Sequence, residues 1–458
     1  MAAVTLTELN DVQRDWASMI IVPEHAEWAD NPVLKVLKTR IDRTAFRGNR
    51  IEIKMKTAMG GIAQGFTDNV AIPVGEAPDW VTQYIDLKWI IANAQLTHQA
   101  TQRAVKGDNS WINSMDDALS DMMLRFNHLQ EVSANGNGTG FVAEVSAASD
   151  DSATPNIVTV SCDQAYTDNG FENVQALLPG DYVDIYQSNG TTIRVTKAKV
   201  ITVTEGLRTA NGSYAAATGT FTVAVALGHG IVNGDLVCMN GSLNRLPMGL
   251  GGMVQDGTHY TATYGRVSTF QNLARSGRAG LQSYMLQATD FGIATESPAD
   301  GVPTLWGLSV VSDAITVVQR RSGLKVTDLF MHGDTATAID TLNQSEKGIT
   351  VNVANTAGTF QTAAGKRYAR QFIAPDGHLI DIHACDTMPR HVIRGVAADA
   401  IHWSPAEEFN FLRMYGDVWG PTKGDSYVAY EAPFTGAYQM WCERCDGFFE
   451  ISDLRVDV

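Results

Sequence analysis

The chain reads as an α+β protein with a small all-β module inserted near its middle. Three observations carry that reading. Segments 109–133 and 303–323 repeat apolar residues at spacings of three and four, the period of an amphipathic helix. Strand-like runs lie on both sides of each helix, with period two clearest at 51–56. The seven Asn-Gly pairs, at Asn135, Asn137, Asn169, Asn189, Asn211, Asn233 and Asn240, all fall between 135 and 241, among short strand-like runs. Asn-Gly suits tight turns because both residues tolerate positive φ.

With 458 residues the chain is long for one core, and two or three domains are expected. A composition of 44% hydrophobic and 18% charged residues excludes a disordered or collagen-like chain. The formal charge of −16, with no dense Lys/Arg run, argues against gripping nucleic acid through the overall field. "MAAVTLTELNDVQRDWASMIIVPE" lacks a basic start followed by an apolar core, so no signal peptide is expected. No apolar run approaches ~18 residues, so no membrane span is expected. Five scattered cysteines make no disulfide framework and fit a reducing compartment.

Residues 1–46 form a polar arm, in which Pro32 can start a short helix carrying Val33, Leu34, Val36 and Leu37. From 47 to 88, Ile51, Ile53 and Met55 alternate with Glu52, Lys54 and Lys56, and a glycine-rich tip follows at Gly60, Gly61 and Gly65. Strand-like residues return at 70–74 and again at 84–97. This is either a long hairpin that leaves the body and needs a neighbour to lie on, or an ordinary two-strand sheet edge.

The helix 109–133 places Trp111, Met115, Leu119, Met122, Phe126 and Leu129 on one core-facing stripe. Asp108, Asn109 or Ser110 can cap it, and Asp116 and Asp117 lie toward its positive end. The module at 141–247 contains "NIVTVSC", "DYVDIY", "TIRVTKAKVITVT", "TFTVAVAL" and "DLVCM" as strands of a barrel or sandwich. Within it, "LPGDYV" (178–183) and "VNGDLV" (232–237) echo each other, each placing Gly-Asp before a strand.

Further on, Pro303 opens a helix whose stripe is Leu308, Val311, Ile315 and Val318, and Gly323 stops it. "VTDLFMHG" is a strand and "DTATAIDTLNQ" a helix. "HLIDIHACD" and "HVIRGVAADAIHW" are strands, and the tail from 425 reads as paired strands.

The search for chemistry is unproductive. "NGNGTG" (135–140) has the spacing G-x-G-x-G, follows a helix and precedes strands. A dinucleotide site needs the reverse order, with a helix N-terminus facing the phosphates, so a helix cap and hinge at Gly136, Gly138 and Gly140 is the better reading. "GHGIVNG" (228–234) reads as a hairpin loop. Cys442 and Cys445 in "WCERC" form a Cys-x-x-Cys pair, a redox or half-zinc pattern that His383 and Cys385 would complete to a Cys3His set. Nothing in the spacing requires that set, and reduced structural cysteines are the plainer reading. No nucleophile elbow, H-E-x-x-H, Walker or EF-hand pattern is present. Neither a cofactor nor an enzymatic activity is expected.

The order of these elements resembles the major capsid proteins of tailed double-stranded-DNA bacteriophages, with the Hong Kong 97-type fold. Residues 1–46 resemble the N-arm, 47–88 the extended loop, and "YIDLKWIIANAQLTHQATQRA" (84–104) the strand leading to the spine helix 109–133. "NGNGTG" resembles the turn that ends that helix, and "MGLGGMV" (248–254) the Gly-Leu segment re-entering the body. "PTLWGLSVVSDAITVVQRRSG" with "TDLFMHGDTATAIDTL" resembles the axial domain. The implied domains are the arm, the extended loop, a peripheral domain at 89–140 and 248–302, the inserted β module at 141–247, an axial domain at 303–430 and C-terminal strands at 431–458. The minimal family pattern lacks the β module.

The resemblance implies a structural subunit that assembles with itself into pentamers and hexamers of an icosahedral shell. The shell would form in the host cytoplasm and belong to the virion, enclosing DNA without sequence-specific binding. Ile51, Lys54, Lys56, Met59 and Phe66 on the extended loop would touch a neighbour. A separate scaffolding protein, a portal and a cement protein are the further partners implied. Some members cross-link through a loop lysine; Lys54 and Lys56 are read instead as solvated edge charges. The short arm implies no maturation cleavage, and the insert is expected to face outward. A non-viral compartment of the same fold, a β-rich adhesin or tail component, and a cysteine or zinc enzyme are the alternatives.

Overall fold

In a computed structural model, positions 33, 36, 46–47, 50–58, 75, 77–97, 110–150, 156–162, 174–204, 219–225, 229–260, 265–287, 308–333, 335–336, 371–385, 387–389, 392–411, 420–421 and 429–452 are described. Strands β1 (Phe46–Arg47), β2 (Arg50–Ala58) and β3 (Asp79–Asp86) form one antiparallel sheet. β4 (Lys88–Thr97) and helix α1 (Ser110–Asn135) follow. Next come β5 (Phe141–Asp150), β6 (Ile157–Cys162), β7 (Tyr182–Tyr186), β8 (Ile193–Thr204), β9 (Thr220–Ala224) and β10 (Leu236–Met239). A one-turn helix α2 (Leu250–Met253) and a small hairpin, β11 (Thr269–Phe270) and β12 (Leu273–Ala274), lead to β13 (Tyr284–Gln287). Helix α3 (Leu308–Ser322) precedes β14 (Asp328–Met331), β15 (Gln371–Ile373), β16 (Leu379–Ala384) and β17 (Ile393–Val396). The chain ends in β18 (Ile401–Phe411), β19 (Gly420–Pro421), β20 (Ala429–Cys442) and β21 (Phe449–Ser452).

Two sheets, each covered by a helix, hold two of the cores. β20 pairs with β4, β18 and β19, and α1 lies on this four-stranded sheet. Leu119, Met122 and Phe126 are buried there with Ile90, Phe434 and Met440, and Phe126 meets Phe434 edge-on at 5.1 Å. The second sheet has six strands in the order β13-β21-β17-β14-β16-β15 and mixes parallel with antiparallel pairs. Val311, Ile315 and Val318 of α3 pack with Leu329, Ile380, Ile393 and Ile451 of that sheet. The three- and four-residue spacing that defines each helix thus becomes the stripe that seals a sheet.

Strands β5 to β10 close into a barrel of order β10-β5-β6-β9-β8-β7, which removes every free edge. The sequence echo has a structural meaning here. Gly180 N donates to Val200 O and Val200 N to Asp181 O, both at 2.8 Å. Gly234 N donates to Val145 O and Val145 N to Asp235 O, again at 2.8 Å. Each aspartate also accepts from the amide three residues before it, Leu178 N or Val232 N, at 2.9 Å. The register shift between Val200 and Thr202 in β8 recurs between Val145 and Ala147 in β5. The same hydrogen-bond pattern and register shift thus occur in β7-β8-β9 and in β10-β5-β6.

Several expectations need correction. The run 84–97 is two strands, not one. Gln83, Ile85 and Leu87 are buried on odd positions, whereas Ile90 and Ala94 are buried on even ones. A strand cannot change face without a break, so the chain leaves one sheet after Asp86 and joins another at Lys88. The tail strands do not pair with each other: β20 belongs to the four-stranded sheet and β21 to the six-stranded one. "HVIRGVAADAIHW" likewise divides into β17 and β18 around a 3-10 turn at Ala398–Ala400. The spine helix runs to Asn135 rather than 133, because Gly136 N still donates to Val132 O at 2.9 Å. The base of the ribbon packs on the body, with Ile51 and Ile85 on Trp441 and Met55 in the main core, while its tip, 59–74, lies outside the described residues.

Candidate assembly surfaces and the helix-end junction

Helix α1 ends where the barrel, both sheets and α2 converge. A helix C-terminus leaves carbonyls without intrahelical partners and carries partial negative charge. Arg394 answers both needs: its Nη1 donates to Asn135 O at 3.0 Å, and its Nε donates to Glu450 Oε2 at 2.7 Å. Both side chains are almost wholly buried. Tyr260 Oη donates to the other oxygen of Glu450. Ser133 Oγ meets Tyr438 Oη at 2.9 Å, and Asn135 Nδ2 donates to Thr387 Oγ1 at 2.8 Å. Burial pushes the Tyr438 phenol well up, so it stays neutral.

The glycines at this point permit contact between backbones. A Cβ on Gly249 would lie 2.2 Å from Ser133 O, and one on Gly251 2.7 Å from Asn135 O. Gly140 has φ +87°, and a Cβ there would lie 2.6 Å from Ser242 O. Gly138 has φ +83° and sits against Met248 Cα. Asn137 Oδ1 accepts from Thr139 N at 3.1 Å, closing the turn on itself. Around these glycines Gly136 N donates to Val132 O, Met239 N to Gly140 O and Asn244 N to Thr139 O, so the turn is tied to both the helix and the barrel.

The site residues read from the sequence divide into three groups. Leu119, Met122 and Phe126 are buried against the four-stranded sheet, while Trp111 and Met115 lie in α1 with side chains outside the described residues. On the ribbon, Ile51 is buried and Lys54 and Lys56 are exposed; Met59 and Phe66 lie outside the described residues. Lys56 Nζ stands 6.0 Å from the centre of the Trp80 ring. Among the cysteines, Cys442 and Cys445 are fully buried with their Sγ atoms 3.1 Å apart, and Cys385 is buried in the same core. His383 is instead committed to Asp328, Nε2 to Oδ1 at 2.8 Å, and stacks on Phe330. Among the described residues no three metal-ligating side chains come together, so the Cys3His set is not assembled.

Sequence reasoning missed an apolar surface and the buried ion pair. On β4, Trp89 is 53% exposed and Ile91 64%, both on the face away from α1; Trp80 on β3 is 58% exposed. The signal was present, since "WIIAN" supplies apolar side chains to both faces of a strand that, among the described residues, a helix covers on one face. The ion pair is announced by a lone charge inside each of two apolar runs, "VIRGV" and "FFEIS".

An open cleft of about 350 Å³ borders the junction, and its lining includes Lys88, Asn137, Thr139, Asn244, Arg266 and Gln439. Lys88 Nζ donates to Asn244 O at 2.9 Å. The lining has two cations and no carboxylate, thiol or imidazole. Among the described residues no helix is long and apolar enough to cross a membrane.

No known protein family's profile matches the chain, and no curated protein matches it in sequence. Several solved structures are similar in shape. The chain of the cyanophage A-1(L) capsid asymmetric unit is 10% identical, with 93% of each chain covered and a TM-score of 0.46. The capsid of a native GTA particle is 9% identical, covering 91% of this chain and 88% of the other at a TM-score of 0.40. The capsid of Myoviridae phage XM1 is 6% identical, covering 90% and 88% at 0.39.

Proposed function

We propose that this chain is a structural subunit that assembles with copies of itself into a closed shell, the major capsid protein of a tailed double-stranded-DNA bacteriophage. The observation that carries the reading is the outer face of β4, where Trp89 and Ile91 stand more than half exposed among the described residues. Soluble monomers rarely keep large contiguous apolar patches, and such a face marks an interaction site. The order of ribbon, spine helix, glycine turn and helix-covered sheet supports the particular family, as the sequence resemblance implied.

In this reading the subunits form pentamers and hexamers, with α3 and the six-stranded sheet toward the capsomer axes. α1 and the four-stranded sheet form the periphery. The ribbon lies over an adjacent copy, and the barrel is an inserted outward-facing domain. Each contact is weak alone, and closure of a symmetric shell multiplies it. The net charge of −16 suits a container that holds DNA without adhering to it. A separate scaffolding protein, a portal and a cement protein complete the particle, which belongs to the virion. Sedimentation velocity of the full chain, expressed alone and with its candidate scaffold, tests this reading. Species far larger than a monomer are expected, and a single monomeric boundary in both cases overturns it.

A further inference from the structure

The crossover from β20 to β21 carries the chain from the four-stranded sheet to the six-stranded one, and Cys442 and Cys445 stand at its start. We propose that these two thiols are a redox pair that closes to a disulfide and clips this crossover, with hydrogen peroxide or a similarly small peroxide as the oxidant. The proposal rests on local geometry and does not depend on the shell reading.

Both cysteines have no exposed surface, and their sulfurs are 3.1 Å apart, so bond formation at ~2.05 Å needs only a small local approach. The segment around them is firmly held. Glu443 N donates to Ala400 O, Cys445 N to Gly280 O at 2.8 Å, and Ser283 Oγ to Cys445 O at 3.0 Å.

Arg275 is buried beside them, its guanidinium donating to the carbonyls of Gln255, Leu281, Gly252 and Met253. Burial pushes both thiols up, but the hydrogen bond between the two sulfurs and the Arg275 charge bring Cys445 below the ordinary thiol value, while Cys442 stays above it. In the proposed step Cys445 is the attacking and Cys442 the resolving cysteine.

The chemistry balances as follows. The Cys445 thiolate attacks one peroxide oxygen, the O–O bond breaks, and the leaving hydroxide takes up the proton that Cys445 lost on ionising, giving water and the sulfenic acid at Cys445. Cys442 Sγ then attacks that sulfur, the S–O bond breaks, and water leaves with the Cys442 proton. One peroxide is reduced to two waters and two thiols are oxidised to one disulfide.

The test treats the folded, full-length chain with peroxide, quenches it, alkylates it after unfolding and maps it without reduction. The expected result is a loss of about 2 Da, two hydrogens, confined to the 442–445 peptide. Cys162, Cys238 and Cys385 should be recovered fully alkylated. In Cys442→Ser the sulfenic acid should persist at Cys445 and be captured by a 1,3-dione. In Cys445→Ser no loss of about 2 Da should appear in this peptide. Full alkylation of both cysteines in the treated wild-type chain overturns the proposal. So does a disulfide that forms only in denaturant, and neither result depends on how the variants fold.

Discussion

Arg394 donates through Nε to Glu450 Oε2 at 2.7 Å, with both side chains out of contact with solvent. The pair joins β17 to β21, and through Nη1 of Arg394 it also ties the six-stranded sheet to the end of α1. Removing one partner strands a buried charge, which costs about 3–5 kcal/mol. Arg394→Met and Glu450→Gln should each lower the urea midpoint of unfolding by that equivalent, and the double replacement should cost less than their sum. Additive losses would show that the two charges are not coupled.

The contact between α2 and the end of α1 admits no side chain at two positions. Gly249→Ala places a methyl group against the Ser133 and Ala134 carbonyls, so backbone must move. Overpacking of this kind costs about 1–3 kcal/mol or more. Gly280→Ala meets nothing nearer than Met55 Sδ at 3.8 Å and should cost less. Thermal melts of the two variants compare the sites directly; equal losses would contradict the close-approach argument.

Asp256 gives the junction a dependence on pH. Burial raises its carboxyl, but hydrogen bonds from Thr258 N, Thr258 Oγ1 and His259 N outweigh burial and hold its pKa below the ordinary carboxylate value. A pKa lower in the folded than in the unfolded chain stabilises the fold at pH above the unfolded value. That contribution is lost as pH falls through the folded value, below about 4. The stability difference between wild type and Asp256→Asn should therefore be largest near neutrality and shrink on acidification. Urea titrations across that range check it; a difference that grows in acid would reverse the sign.

The outer face of β4 separates folding from assembly. Trp89→Ser and Ile91→Ser remove exposed apolar groups and should leave the unfolding midpoint within about 0.5 kcal/mol of wild type. The same variants should reduce the yield of large species by at least about ten-fold, since centrally placed aromatic contacts dominate interfaces. Unchanged yield would free this face of any role in association.

Much of the fold was legible because its elements carry their own period. The α1 and α3 stripes, the strands of the barrel and the glycine turn after α1 could be read locally, and the "LPGDYV" and "VNGDLV" echo hinted at the matching hydrogen bonds of the two Gly-Asp turns. Pairing partners could not be read. That β20 and β21 lie in different sheets depends on long-range contacts that no local pattern encodes. The glycines of "MGLGGMV" were visible, but their reason, the approach of α2 to the carbonyls of α1, exists only in three dimensions. Arg394 and Glu450 are 56 residues apart, and their pairing appears only when β17 and β21 stand side by side.

Electron microscopy of the full chain, alone and with its candidate scaffold, tests the central claim most directly. The account predicts closed shells, or ring-shaped and curved assemblies built from five- and six-fold groups of subunits. Discrete, unassociated molecules under both conditions would contradict it.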